Sequence, residues 1–189
     1  MMTVVPAPVV AAWGAGVNST AMIIELVRRG EAPDAVLLAG MPEQPHTRRL
    51  IPIFRAWMGD HGVPNEIVEY RPTHFKHWPP YTDLLEASLT NGTLPSIAFG
   101  LHSCSARHKI SPQDKWVKVW APARRVWAEG RKVVRLIGYD CSERDNQRYA
   151  HRDGHVLRSL RLSLSAAGVG MDARGLRALH RAGRTAPFR

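Results

Sequence analysis

The chain has 189 residues, 44% of them apolar and 22% charged, which suits one folded domain with a short appendage and excludes a disordered or fibrous chain. Lys and Arg number 26 against 16 Asp and Glu, a formal charge of +10 that favours a polyanionic partner: a nucleotide, a nucleic acid or an acidic protein. Two cysteines, Cys104 and Cys141, cannot frame a disulfide-rich secreted domain, and the opening MMTVVPAPVVAAW lacks the basic start of a signal peptide, so a reducing, cytoplasmic setting with no membrane span is expected.

Val4–Trp13 is apolar and Val-rich, as a strand buried on both faces of a parallel sheet should be. GAGVNS breaks that run, and Thr20–Arg29 resumes at helical spacing with Met22, Ile23, Leu26 and Val27 on one face and Gly30 as its stop. Ala35–Ala39 predicts a second buried strand. Thr47–His61 predicts a helix with Leu50, Ile51, Phe54, Trp57 and Met58 inward, where Pro52 is tolerable only in the first turns. Glu66–Tyr70 predicts a third strand. Arg71–Gly100, with Pro72, Pro79, Pro80 and Pro95, reads as a long functional loop holding one short helix near Asp83–Leu89. Ser111–Glu129 predicts a helix with Pro112 in its first turn and a kink or split at Pro122. Val133–Tyr139 predicts a fourth strand. Strands alternating with helix-length crossovers imply an α/β fold: a mostly parallel sheet with helices on both faces.

After Tyr149 the pattern fades. This stretch holds eight Arg against two Asp, no Trp and the single Phe188, with one helical pattern near Asp172–His180. The expected organisation is one α/β domain over 1–148 and a weakly structured, separable basic appendage over 149–189, where a nucleic acid could engage.

The strongest chemical signal is strand, then Gly14-Ala15-Gly16-Val17-Asn18-Ser19-Thr20, then helix. Glycines let backbone N–H groups turn toward a ligand with no Cβ in the way, and a helix N-terminus offers free donors and partial positive charge. Asn18, Ser19 and Thr20 add side-chain donors. A capped strand–helix turn that binds nothing would use the same residues. The loop has no Lys, so it is not a Walker loop, and Ser19 stands where GxGxxG needs its last glycine.

GAGVNST resembles the PP-loop, SGGxDS followed by a helix, of ATP pyrophosphatases and phosphoadenosine phosphosulfate (PAPS) reductases. Gly16, Ser19 and Thr20 match; Gly14, Ala15 and Asn18 replace the pattern's first Ser, first Gly and Asp, as in the PAPS-reductase-like proteins of phages and mobile elements. Three later segments fit in order. Ala39–Thr47 resembles the ADTG-x-E-x-P-x-T turn, with Glu43, Pro45 and Thr47 matching and Gly40 in place of the acid. Pro95–Trp116 resembles the Cys- and Lys-bearing segment of the phage group. Gly138–Glu143 resembles the GIR-x-x-E turn, with Asp140 in place of its arginine.

The resemblance implies an adenine nucleotide, ATP or a PAPS-like relative, lying across the carboxyl ends of the strands with Mg²⁺ assisting, and nucleotidyl or sulfur transfer at the α-phosphate. It implies nucleotide contacts from Gly14, Gly16, Asn18, Ser19, Thr20, Glu43, Arg107, Lys109, Gly138, Glu143 and Arg144, with Arg107 and Lys109 as counter-charges to phosphate or sulfate. Cys104, amid His102, Arg107, His108 and Lys109, is the candidate nucleophile or redox thiol, or else a small packing residue. No metal site is expected, since no paired cysteines accompany His102 and His108. The family's reductases attack sulfate with a C-terminal cysteine, and none follows Cys141, so sulfate reduction is not expected. Gly168–His180 resembles a degraded WGxD-type helix, which suggests a shortened or frameshifted end. A reading from another class is a noncatalytic nucleic-acid-associated protein that keeps the fold.

Overall fold

The structure, a computed structural model, describes residues 6–71, 81, 83–92, 105–139, 143 and 160–163. Its centre is a parallel sheet in the order β3-β2-β1-β4, in which β1 is Val9–Trp13, β2 Ala35–Gly40, β3 Asn65–Glu69 and β4 Val133–Ile137. The register places Trp13 beside Leu38, Leu38 beside Ile67 and Ala12 beside Ile137. Val133–Ile137 also pairs, again in parallel, with β5, Leu160–Ser163. No strand was legible in that stretch of the sequence, where LRLS is too short and too basic to stand out.

The expected helices form between the strands. The first is α1, Val17–Arg28, and the second α2, Pro45–Asp60. A short α3, Leu84–Asn91, is capped by Asp83, whose carboxylate accepts the Glu86 N–H at 2.8 Å, and it ends on Gly92 in the left-handed region. Next come α4, Ser111–Val119, and α5, Ala121–Ala128. The helix expected over Ser111–Glu129 is split at Trp120, as Pro122 predicts, because that proline has no N–H to continue the ladder and pre-sets a new first turn. Pro52 departs from expectation. With α2 starting at Pro45, it lies inside the helix rather than in its first turns. The missing N–H leaves the Arg48 carbonyl without its helical donor, on an exposed face where water can supply one.

Each face of the sheet carries its own core. On one, α1 and α2 bury Met22, Ile23, Phe54 and Met58 against Trp13, Val36, Leu38 and Leu136. On the other, α4 and α5 bury Val117, Ala123 and Val126 against Val10, Leu37 and Val133. The core strands are therefore apolar on both sides, the reason β2 reads AVLLA without alternation. β3 lies at the edge, where exposed Glu66 and Glu69 discourage further pairing. Because α1 and α2 lie on one face and α4 and α5 on the other, the winding reverses between β1 and β4. Open α/β sheets hold their ligands in the crevice at such a reversal, beyond the carboxyl ends of the strands. Among the described residues, no helix is long and apolar enough to cross a membrane.

Candidate functional site

The loop Gly14–Thr20 leaves β1 at that reversal and turns directly into α1. Its shape is held by Trp13, fully buried at the end of the strand. The Trp13 indole Nε1–H donates to Thr20 Oγ1 at 2.9 Å, and the Thr20 hydroxyl donates to the Gly16 carbonyl at 2.7 Å. The Thr20 N–H reaches the same carbonyl at 3.1 Å. Thr20 was expected to offer its hydroxyl to a ligand; both that hydroxyl and the N–H are engaged inside the loop, so it acts as the pin that closes the turn. Ser19 holds the other side: the Gly14 N–H donates to Ser19 Oγ at 3.2 Å, and Ser19 Oγ lies 3.4 Å from the Gly16 carbonyl, a long contact that a better acceptor could displace.

The backbone within the pin is open. Gly14 and Gly16 are exposed, and a Cβ at either would meet nothing within 4 Å. Ala15 between them has φ 51°, the left-handed region, and is the only non-glycine among the described residues there. An alanine pays about 1 kcal/mol for that conformation, so the turn is held against a local preference. Val17, Asn18 and Ser19 occupy the first turn of α1, whose N–H groups have no carbonyl within the helix to receive them. Asn18 is half-buried on that turn.

β4 closes the site from below. A Cβ on Gly138 would fall 2.6 Å from Ser19 Cα and 2.7 Å from Ser19 N, so only a glycine lets the end of β4 lie against the start of α1. Glu43, half-buried, follows β2 in the connection to α2. Arg107 and Lys109 are exposed on a wide π-helical turn, Ser105–Ile110, that runs straight into α4. Ser105–Ile110 falls between the elements predicted from sequence. Pro112 obscured it, because a proline usually marks a helix start and here follows helical backbone. Arg107 Nη1 donates to the Tyr81 hydroxyl at 3.3 Å. Glu143 is exposed beyond β4, whereas Cys104 and Arg144 lie outside the described residues, as do Cys141 and His102. The structure thus joins Gly14–Thr20 to Gly138, and sets Arg107 and Lys109 on the turn that packs beside β2.

Three features were missed in sequence. Trp13 as the loop's donor was visible only as an apolar residue. His108 is buried on the wide turn, its ring 4.7 Å from that of Tyr70 at the end of β3. Arg135, buried in β4, pairs with Asp114 of α4 at 2.6 Å. For His108 a signal existed, a lone histidine between two cations.

Burial holds the His108 imidazole below its ordinary value of 6.5, and Arg107 pushes it the same way while Asp83 opposes them. The folded protein thus disfavours protonation that the unfolded chain accepts. The stability tied to this residue is fully present above 6.5 and is lost as pH falls from there through the lower folded value. His108→Phe, which keeps a ring against Tyr70, should flatten the fall in melting temperature between about pH 7 and 5. An unchanged slope in a thermal-melt series would place the acid sensitivity elsewhere.

No protein-family model matches the chain, and no curated protein matches it.

Proposed function

We propose that this chain binds an adenine nucleotide, ATP as its Mg²⁺ complex or a PAPS-like relative, with the polyphosphate on Gly14–Thr20, as a PP-loop protein of the PAPS-reductase-like kind. One observation carries the reading: open glycine backbone at an unsatisfied helix N-terminus, placed at the β1/β4 reversal and backed by Gly138. Such donors favour anionic oxygen, and the position is where open α/β sheets take ligands. A second observation supports the PP-loop form in particular. Ala15 stands where SGGxDS has a glycine, and its left-handed φ of 51° is the conformation a glycine there would serve.

The chemistry proposed is transfer at the α-phosphate. A substrate oxygen forms its bond to the α-phosphorus, the bond from that phosphorus to the β-bridging oxygen breaks, and pyrophosphate leaves with its charge on the loop N–H groups. The nucleophile's proton passes to solvent. Arg107 and Lys109 would meet the remaining phosphate charge, and Cys104 remains the candidate thiol if sulfur is transferred. The second reading, a nucleic-acid-associated protein, draws on the charge of +10.

Calorimetric titration with MgATP tests both. Gly16→Val places its side chain in open space at φ −91°, so the fold and circular dichroism should persist while the phosphate path is filled and ATP affinity falls at least tenfold. Undiminished affinity would remove the loop from the reading. Binding that collapses between 50 and 200 mM salt marks backbone phosphate contacts of a nucleic acid, and a nucleotide pocket should change far less.

A further inference from the structure

β2 ends in glycine, and a carboxylate from the neighbouring strand lies across it. Gly40 and Glu69 are register partners of β2 and β3, so their substituents project from the same face. Gly40 is two residues beyond Leu38, which packs under α1 and α2, so this face is the one from which α1 and the loop Gly14–Thr20 rise. The Glu69 side chain leans toward β2: its Cγ is 2.9 Å and its Oε1 3.4 Å from where a Cβ on Gly40 would stand. Any other residue at position 40 would push it away.

The pairing of β1 with β2 ends at Trp13 and Leu38, where the loop Gly14–Thr20 turns away, so Gly40 continues β2 two residues past that point, beside the strand that feeds the loop. A nucleotide with its phosphates on the loop and its sugar extending over β2 would therefore bring its ribose to Gly40. In sheets of this winding the end of the strand next to the phosphate loop is where a carboxylate takes ribose hydroxyls. Here that strand offers no acid of its own at its last residue, and Glu69 reaches over from β3.

We propose that Glu69 accepts hydrogen bonds from the ribose hydroxyls of the bound nucleotide, and that Gly40 is the gap that admits its side chain. The site then selects a ribonucleotide with free vicinal hydroxyls. A deoxyribose, or a ribose phosphorylated at one of them, would leave the carboxylate unpaired or repelled. The proposal rests on the nucleotide reading above and narrows it to ATP, because the 3′-phosphate of PAPS would face the Glu69 carboxylate.

The test is calorimetric titration of the full chain with MgATP, 2′-deoxyATP and 3′-deoxyATP, for the wild type, Glu69→Gln and Gly40→Ala. Hydrogen bonds to a charged acceptor predict that the wild type binds ATP about tenfold or more tighter than at least one deoxy analogue. Glu69→Gln should bring ATP down toward that analogue and leave the analogue's own affinity unchanged. Gly40→Ala should lose the same discrimination while Glu69 is still present, because the added methyl displaces it. If ATP binds and both variants weaken all three nucleotides equally, or none, Glu69 does not hold the ribose and the nucleotide reading stands. If the wild type binds no nucleotide, both fall together.

Discussion

Gly138→Ala is expected to destabilise the protein by about 3 kcal/mol, the upper end of the usual cost of overpacking. The new methyl would sit 2.6 Å from Ser19 Cα, 2.7 Å from Ser19 N and 2.9 Å from the Asn18 carbonyl carbon. All three are backbone atoms of the first turn of α1, so no side chain can swing aside. Relief requires moving α1 or the end of β4, and Trp13, through Thr20, resists the first. Urea denaturation monitored by tryptophan fluorescence measures the loss, and MgATP titration of the folded fraction should show affinity reduced in parallel. A change below about 0.5 kcal/mol, the scale of an ordinary surface substitution, would mean that β4 does not lie against the loop.

Gly138 also shows what the sequence could and could not supply. Its glycine was visible and matched a motif, but the reason for it is a contact with residues more than a hundred positions earlier. The parallel strands and the helices between them were legible because burial on both faces leaves unbroken apolar runs in β1 and β2, and because Gly30 and Pro122 mark boundaries chemically. The loop was legible for the same local reason: glycines and small donors between a strand and a helix. The parts that escaped depend on partners brought together by the fold. The Thr20 hydroxyl looks like a ligand donor until Trp13 is placed beside it. Gly40 looks like a lost acid until Glu69 is seen across it. Ser105–Ile110 has no apolar period to betray a helix, since its inward residue is His108.

Asp114→Ala should cost about as much as Gly138→Ala, for an electrostatic reason. Arg135 interrupts the apolar strand β4 with a side chain that is 5% exposed, and its Nη2 lies 2.6 Å from Asp114 Oδ1 in α4. The pair is close but off the line of a directed hydrogen bond, and Arg135 Nε has no acceptor among the described residues. The guanidinium is therefore already poorly compensated. Removing the carboxylate would leave a buried cation with no counter-charge, which typically costs 3–5 kcal/mol. Asp114 is itself 34% exposed, so water entering at its position should hold the loss to about 3 kcal/mol. Arg135→Met makes the opposite prediction. It removes the charge and keeps the volume, so stability should change little or rise, and the Asp114→Ala/Arg135→Met double variant should recover most of what Asp114→Ala loses. Such a cycle, read by urea denaturation, separates the burden of an orphaned cation from the worth of the pair. The position matters beyond stability, because α4 continues the turn that carries Arg107 and Lys109, and the ion pair fastens its first turn to β4. In a protein with Asp114→Ala that still folds, ATP affinity should fall with the stability, whereas Arg135→Met should leave it near that of the wild type. Equal losses in the two single variants would instead make the pair's attraction, rather than the buried charge left behind, the quantity that holds α4 in place.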